Sequence, residues 1–195
     1  MNFLAHAFLS FGDPEITVGN LISDFVKGKR QYEYPPGIRN GIILHRSIDS
    51  FTDNHPASIE AKQVFRAHYR LYAAAFVDVT YDHFLASDAA IFPDDSLKSF
   101  SNETYSIIEP HIAILPDRFS AMFPYMKSQD WFYNYQFKAG LEKSFGGLVR
   151  RARYMDDSIT AMTIFEQHHD LLRDCYRSFM PDVRDHAASR IQAFK

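Results

Sequence analysis

Residues 73–86 read Ala-Ala-Ala-Phe-Val-Asp-Val-Thr-Tyr-Asp-His-Phe-Leu-Ala, inside a run from Pro56 to about Ala90 that contains no glycine and no further proline. A stretch this rich in Ala, Leu, Phe and Tyr predicts one long helix or two abutting ones. Asp78 and Asp82 stand one helical turn apart and share a face. An exposed polar stripe would mix Lys, Glu and Gln with its acids, and those types are absent here. Burying an ionised carboxylate without a partner costs several kcal/mol or more. A bound cation would offset that cost.

Helical signals extend in both directions. The apolar opening Met1 to Phe11 carries His6 and is too short to span a bilayer, which predicts a core helix. Asp13-Pro14-Glu15 supplies a capping acceptor, a first-turn proline and a first-turn acid, so a helix is expected from Pro14 to about Lys27, with Gly28 as its stop. Tyr34-Pro35-Pro36-Gly37 reads as a turn, and Ile38, Ile42, Ile43, Ile48 and Phe51 give helical periodicity up to Asp53-Asn54-His55-Pro56. Pro93, Pro110, Pro116 and Pro124 divide the middle into short segments, each beginning near a proline. Gly146-Gly147 should interrupt the stretch from Asp130 to Tyr154, and Asp156-Asp157-Ser158 should cap a helix that precedes the terminal one. No convincing strand alternation, internal repeat or low-complexity tract is present. The expectation is an all-α fold, a single compact helical domain over residues 1–195.

Composition narrows the function. With 195 residues, 18 Phe and 11 Tyr, the chain can bury a core filled by rings without disulfides or structural zinc. A formal net charge of −3 argues against general attraction to nucleic acid or anionic lipid. The single Cys175 and the absence of a secretory-type start predict a cytoplasmic protein.

Two further pairs repeat the helical spacing. His45 and Asp49 sit in Gly-Ile-Ile-Leu-His-Arg-Ser-Ile-Asp, a common arrangement for holding a divalent ion, although such a pair can also just hydrogen-bond to itself. Asn20 and Asp24 flank Leu21, Ile22 and Phe25 and can offer a metal ligand and a hydrogen bond to a water or phosphate oxygen; a helix-packing hydrogen bond is the plain alternative. His6 joins the ligand candidates because three carboxylate-bearing pairs need a centre. Lys27-Gly28-Lys29-Arg30 and Arg46 place cations nearby, where they would suit a phosphorylated substrate or complement a helix end. Arg150-Arg151-x-Arg153 reads as a solvated face, and His168-His169-Asp170 belongs to an exposed amphipathic helix rather than a metal site. Serine-hydrolase elbows, Walker loops and Cys-x-x-Cys pairs are absent.

Several stretches carry a resemblance: Met-Asn-Phe-Leu-Ala-His at the start, Val-Gly-Asn-Leu-Ile-Ser-Asp-Phe-Val-Lys-Gly from residue 18, and Gly-Ile-Ile-Leu-His-Arg-Ser-Ile-Asp-Ser-Phe-Thr-Asp-Asn-His-Pro from residue 41. Val-Asp-Val-Thr-Tyr-Asp-His-Phe-Leu-Ala from residue 77, Trp-Phe-Tyr-Asn-Tyr from residue 131 and Gly-Leu-Glu-Lys from residue 140 extend it over most of the chain. Together they resemble the bacterial acyl carrier protein phosphodiesterase family. The resemblance implies a helical, HD-domain-like metal-dependent phosphohydrolase. Such an enzyme removes 4′-phosphopantetheine from holo acyl carrier protein with a divalent cation, manganese or alternatively magnesium. It places the family's acidic and histidine positions on His6, Asp24, His45, Asp49, Asp78, Asp82 and His83, with the HD dipeptide reversed as Asp82-His83.

The metal set expected is thus His6, Asp24, His45, Asp49, Asp78 and Asp82. Arg46 or Lys27 would neutralise developing charge, and His83 or His45 would act as general acid. Asn20, Lys27, Lys29, Arg30, Arg66 and Arg70 would meet the substrate, the cations forming a rim for an acidic carrier protein. A helical phosphohydrolase acting on a nucleotide or other small phosphate ester is one alternative. The other is a noncatalytic helical module whose polar pairs are buried hydrogen-bond networks.

Overall fold

A computed structural model describes residues 1–152 and 157–194, and these are helical with no strand among them. The helices are α1 (Phe3–Phe8), α2 (Pro14–Ile22), α3 (Pro36–Asn54), α4 (Pro56–Tyr69), α5 (Ala73–Ala86), α6 (Ser96–Ile108), α7 (Asp117–Ser128), α8 (Trp131–Asn134), α9 (Lys138–Arg151), α10 (Ile159–Gln167) and α11 (His169–Gln192). Their buried faces meet in one hydrophobic core. Phe65, Phe76 and Phe145 stack and edge into one another where α4, α5 and α9 meet, while α11 packs across α3 and α4 and seats Phe179 against Tyr81. No helix among the described residues is long and apolar enough to cross a membrane.

Local signals account for most boundaries. The Asp13 carboxylate accepts from the Ile16 amide at 3.0 Å and Pro14 opens α2, as expected. The run from Pro56 resolves into two abutting helices, α4 and α5, joined by a 3₁₀ turn over Arg70–Tyr72. Asp157 caps α10 through the amides of Ile159 at 2.7 Å and Thr160 at 3.0 Å, while Asp156 lies outside the described residues.

Three expectations fail. Helix α2 ends at Ile22, and a 3₁₀ turn over Ser23–Phe25 carries Asp24, so Asn20 and Asp24 do not share a helix face. Gly28, at φ +56°, begins a second 3₁₀ segment instead of closing α2. Pro124 lies within α7, and Gly146-Gly147 lie within α9, because burial of Phe119, Phe123, Leu141 and Phe145 on the same helices outweighs these local breakers.

The short α1 is fixed from outside. Its cap position Asn2 makes no side-chain cap bond, and the fully buried Asp82 of α5 takes over: its two oxygens accept from the amides of Leu4 at 2.8 Å and Ala5 at 3.2 Å. A helix N-terminus thus supplies the partner that the buried carboxylate needs. Asp82→Ala should cost about 2 kcal/mol or more in chemical denaturation, since an orphaned buried donor costs roughly 1–3 kcal/mol. An unchanged denaturation midpoint would show that Asp82 does not hold α1.

Candidate metal centre

Three elements converge on one spot. Helix α3 presents His45 and Asp49 one turn apart, α1 brings in His6, and the turn after α2 adds Asp24. The imidazole rings of His6 and His45 stack at 3.9 Å with 15° between their planes. His45 Nε2 lies 3.1 Å from Asp49 Oδ2 and 3.2 Å from Asp24 Oδ1, and His6 Nε2 lies 3.2 Å from Asp49 Oδ1. One ligand atom each from His6, His45 and Asp49 falls within 4.8 Å of the others. Both histidines are buried; Asp49 is part-exposed, and the Asp24 side chain, 72% exposed, marks the mouth.

Asn20, fully buried on α2, sets the direction of both rings. Its Nδ2 donates to the His6 carbonyl at 2.8 Å and to Ser10 Oγ at 3.0 Å, and Ser10 Oγ donates in turn to the His6 carbonyl. Those acceptors fix the amide, so Asn20 Oδ1 must face His6 Nδ1, at 2.8 Å, and that nitrogen carries the proton. His45 Nδ1 likewise donates to the Asn20 backbone carbonyl at 2.7 Å. Both Nε2 atoms are thereby turned toward Asp49, the pattern in which outer hydrogen bonds orient metal-binding imidazoles.

The charges bear on what the cluster could hold. Burial and the neighbouring His45 lower His6 to about 4, so it is neutral, and its buried Nε2 has no hydrogen-bond partner. A neutral ring with its proton on Nδ1 points a lone pair at a carboxylate oxygen 3.2 Å away, which is repulsive unless a cation joins them; the Met1 amino group reaches that same oxygen from 3.5 Å, and the ring nitrogen is left without a donor. That contact is therefore not an ion pair. Burial works against charge on His45, yet hydrogen bonds to Asp24 and Asp49 overcome it and raise the group to about 9. Burial works against charge on Asp49, yet its hydrogen bond to His45 holds it far below the usual carboxylate range, and Asp24 is lowered by its hydrogen bond to His45. Two imidazole nitrogens with one or two carboxylates suit a borderline divalent ion, and suit magnesium poorly.

Ion uptake must displace the proton that His45 carries below about pH 9, whereas His6 is already neutral. Calorimetric titration with Mn²⁺ should show about one proton released per ion between about pH 6.5 and 8.5, with apparent affinity rising about tenfold per pH unit. Affinity independent of pH in that window would remove His45 from the ligand set.

Comparison with known proteins places the chain in a family. The family model described as acyl carrier protein phosphodiesterase matches residues 1–183. The chain belongs to the acyl carrier protein phosphodiesterase family. A protein of that name from Yersinia pestis is 35% identical over 184 residues, covering 94% of this chain and 95% of that protein. Those from Yersinia enterocolitica and Photorhabdus laumondii are 33% and 31% identical over 191 residues, covering 97% of this chain and 99% and 96% of theirs. No solved structure matches.

Within this acyl carrier protein phosphodiesterase family member, several expected site residues fall elsewhere. Asp78 pairs with the Met1 amino group at 3.0 Å, and Asp82 caps α1, so neither joins the three-residue ligand cluster. Burial raises both carboxyls, Asp82 to about 7. His83 follows Asp82 by 100° of helix and faces away: its Nδ1 donates to the Tyr135 carbonyl at 2.7 Å and its ring packs on Phe165. The reversed dipeptide does not act as a unit, and His83 is not placed to be a general acid. Asn20 is closed off from any substrate by its burial and orients the two imidazoles instead. Arg46 donates to the Val26 carbonyl at 3.1 Å and to Gln31 Oε1 at 2.8 Å, bracing the turn that carries Asp24. Lys27, Lys29 and Arg30 are exposed just beyond that turn; Arg66 and Arg70 are exposed at the far end of α4, about 15–20 Å along its axis from Pro56. The participation of Ser10 was missed, and its sequence signal is small: a hydroxyl four residues after His6 in an apolar segment.

Proposed function

We propose that this chain hydrolyses the phosphodiester joining 4′-phosphopantetheine to holo acyl carrier protein, using a divalent cation held by His6, His45 and Asp49. The observation that carries the reading is the orphaned, lone-pair-bearing His6 Nε2 aimed at Asp49 beside a second imidazole, in a chain of this family. Such an ion, when bound, withdraws charge from a phosphoryl oxygen and makes water a stronger acid. Manganese fits the mixed nitrogen and oxygen donors better than magnesium.

The protein's own groups do the rest. Asn20 holds both rings at fixed tautomer, so no reorganisation is needed when substrate arrives. Asp24, ionised and open to solvent, is placed to accept a proton at the mouth or to complete the donor set. Lys27, Lys29 and Arg30 give the lip of the mouth a positive charge suited to a phosphate and to an acidic carrier.

Incubation with holo carrier protein and Mn²⁺, followed by intact-mass measurement, tests substrate, bond and metal together. The carrier should lose the mass of the phosphopantetheine arm, and EDTA should stop the loss. Release of pantetheine alone, with phosphate left on the carrier, would place the cleavage at the wrong ester and overturn the reading.

A further inference from the structure

Arg150 and Arg151 end α9 without a part in the chemistry above, yet with Lys143, Tyr135 and Trp131 they line a cavity of about 250 Å³. None of His6, Asp24, His45 or Asp49 lines it. The face of α9 toward the cavity is built at helical spacing, running Gly140, Lys143 and Ser144, Gly147, then the two arginines.

Its two glycines differ in what they are for. At Gly140 a Cβ would fall 1.9 Å from the Asn134 carbonyl oxygen, so the packing of α8 on α9 demands glycine. At Gly147 a Cβ would meet nothing nearer than the Arg150 guanidinium at 3.8 Å. Packing asks for nothing there, although glycine weakens a helix relative to alanine. The missing side chain leaves space, and that space opens onto three cations. No carboxylate among the described residues is in salt-bridge range of Lys143, Arg150 or Arg151.

A buried donor points the same way. The Tyr135 side chain is 3% exposed; its hydroxyl oxygen accepts from Asn2 Nδ2 at 2.8 Å, and among the described residues its own proton goes to no acceptor. Three cations, an uncommitted hydroxyl donor and the faces of Trp131 and Phe3 in one concavity make a site for an anion with an organic body. We propose that this cavity binds a small phosphate monoester, its phosphate among Lys143, Arg150, Arg151 and the Tyr135 hydroxyl and its organic part against Trp131. The site stands independently of the reaction assigned to the metal centre.

Trp131 is the chain's single tryptophan, so tryptophan fluorescence reads a residue that lines this cavity. Titration of the full chain should give a saturable change with pantetheine 4′-phosphate, a weaker one with inorganic phosphate and none with pantetheine. Arg150→Glu combined with Arg151→Glu, and separately Gly147→Leu, should each weaken the response by about tenfold or more while circular dichroism is unchanged. Asp24→Asn, at the metal centre, should leave the midpoint where it was. No saturable response, an equal response to pantetheine, or a midpoint insensitive to the arginine and glycine substitutions would overturn the proposal.

Discussion

Gly41→Val should abolish stable folding or leave a protein destabilised by more than about 3 kcal/mol, with Mn²⁺ uptake lost in parallel. The reason is a backbone contact. Helices α2 and α3 approach so closely that a Cβ on Gly41 would lie 2.3 Å from the Ile16 carbonyl oxygen and 2.9 Å from the Asn20 nitrogen, and one on Gly19 would lie 1.9 Å from the Ile38 carbonyl oxygen. All of these are main-chain atoms, so no side chain can rotate aside and the helices must part. One turn along α3, His45 Nδ1 reaches the Asn20 carbonyl at 2.7 Å, a bond that exists only because the helices touch. Parting them would therefore unseat the His45 ring as well as a core. Gly147→Ala is the matched control, since its new methyl meets only a flexible guanidinium, and it should melt at or above the parent temperature. Thermal denaturation with metal analysis checks both; a Gly41→Val protein that melts with the parent and keeps its ion would show that the glycine contact is dispensable.

That contact also explains how a site with two buried imidazoles stays open for chemistry. The floor is rigid because Asn20 joins α1, α2 and α3 through His6, Ser10 and His45. The mouth is carried by a 3₁₀ turn whose Asp24 is exposed and whose following segment Arg46 braces. Rigidity lies where ligand direction matters, and access lies where substrate must enter.

The all-helical architecture is legible because prolines at Pro14 and Pro56 open helices and apolar residues recur at helical spacing. The breakers Pro124 and Gly146-Gly147 mislead because burial of neighbouring rings decides those segments, and burial is not local. The pair His45 and Asp49 is readable from one turn of spacing, and His6 enters through company and resemblance. Asp78 and Asp82 fall outside the three-residue cluster for a clear physical reason. Sequence displays a carboxylate in apolar surroundings but not its partner, and here the partners are an amino group and a helix N-terminus. Asn20 is the right residue with the wrong role, since its burial between three helices is a property of packing.

Asp24→Asn should lower phosphopantetheine release by about 10²–10⁴-fold, the range typical of losing a positioned proton acceptor, while the circular dichroism spectrum stays as it was. The side chain is 72% exposed and makes one contact, to His45 Nε2 at 3.2 Å, so its loss removes little that holds the fold. Asparagine keeps the size but carries no charge and accepts no proton at neutral pH. Metal content separates the two roles open to Asp24. If the carboxylate completes the donor set, Mn²⁺ affinity should fall with activity, and raising the ion concentration should restore part of the rate. If it accepts a proton at the mouth, the ion should remain at full occupancy, the rate should stay low at every metal concentration, and the limb of the pH–rate profile that depends on an ionised carboxylate should disappear. A variant with parental activity would remove Asp24 from the site and leave His6, His45 and Asp49 to act without it.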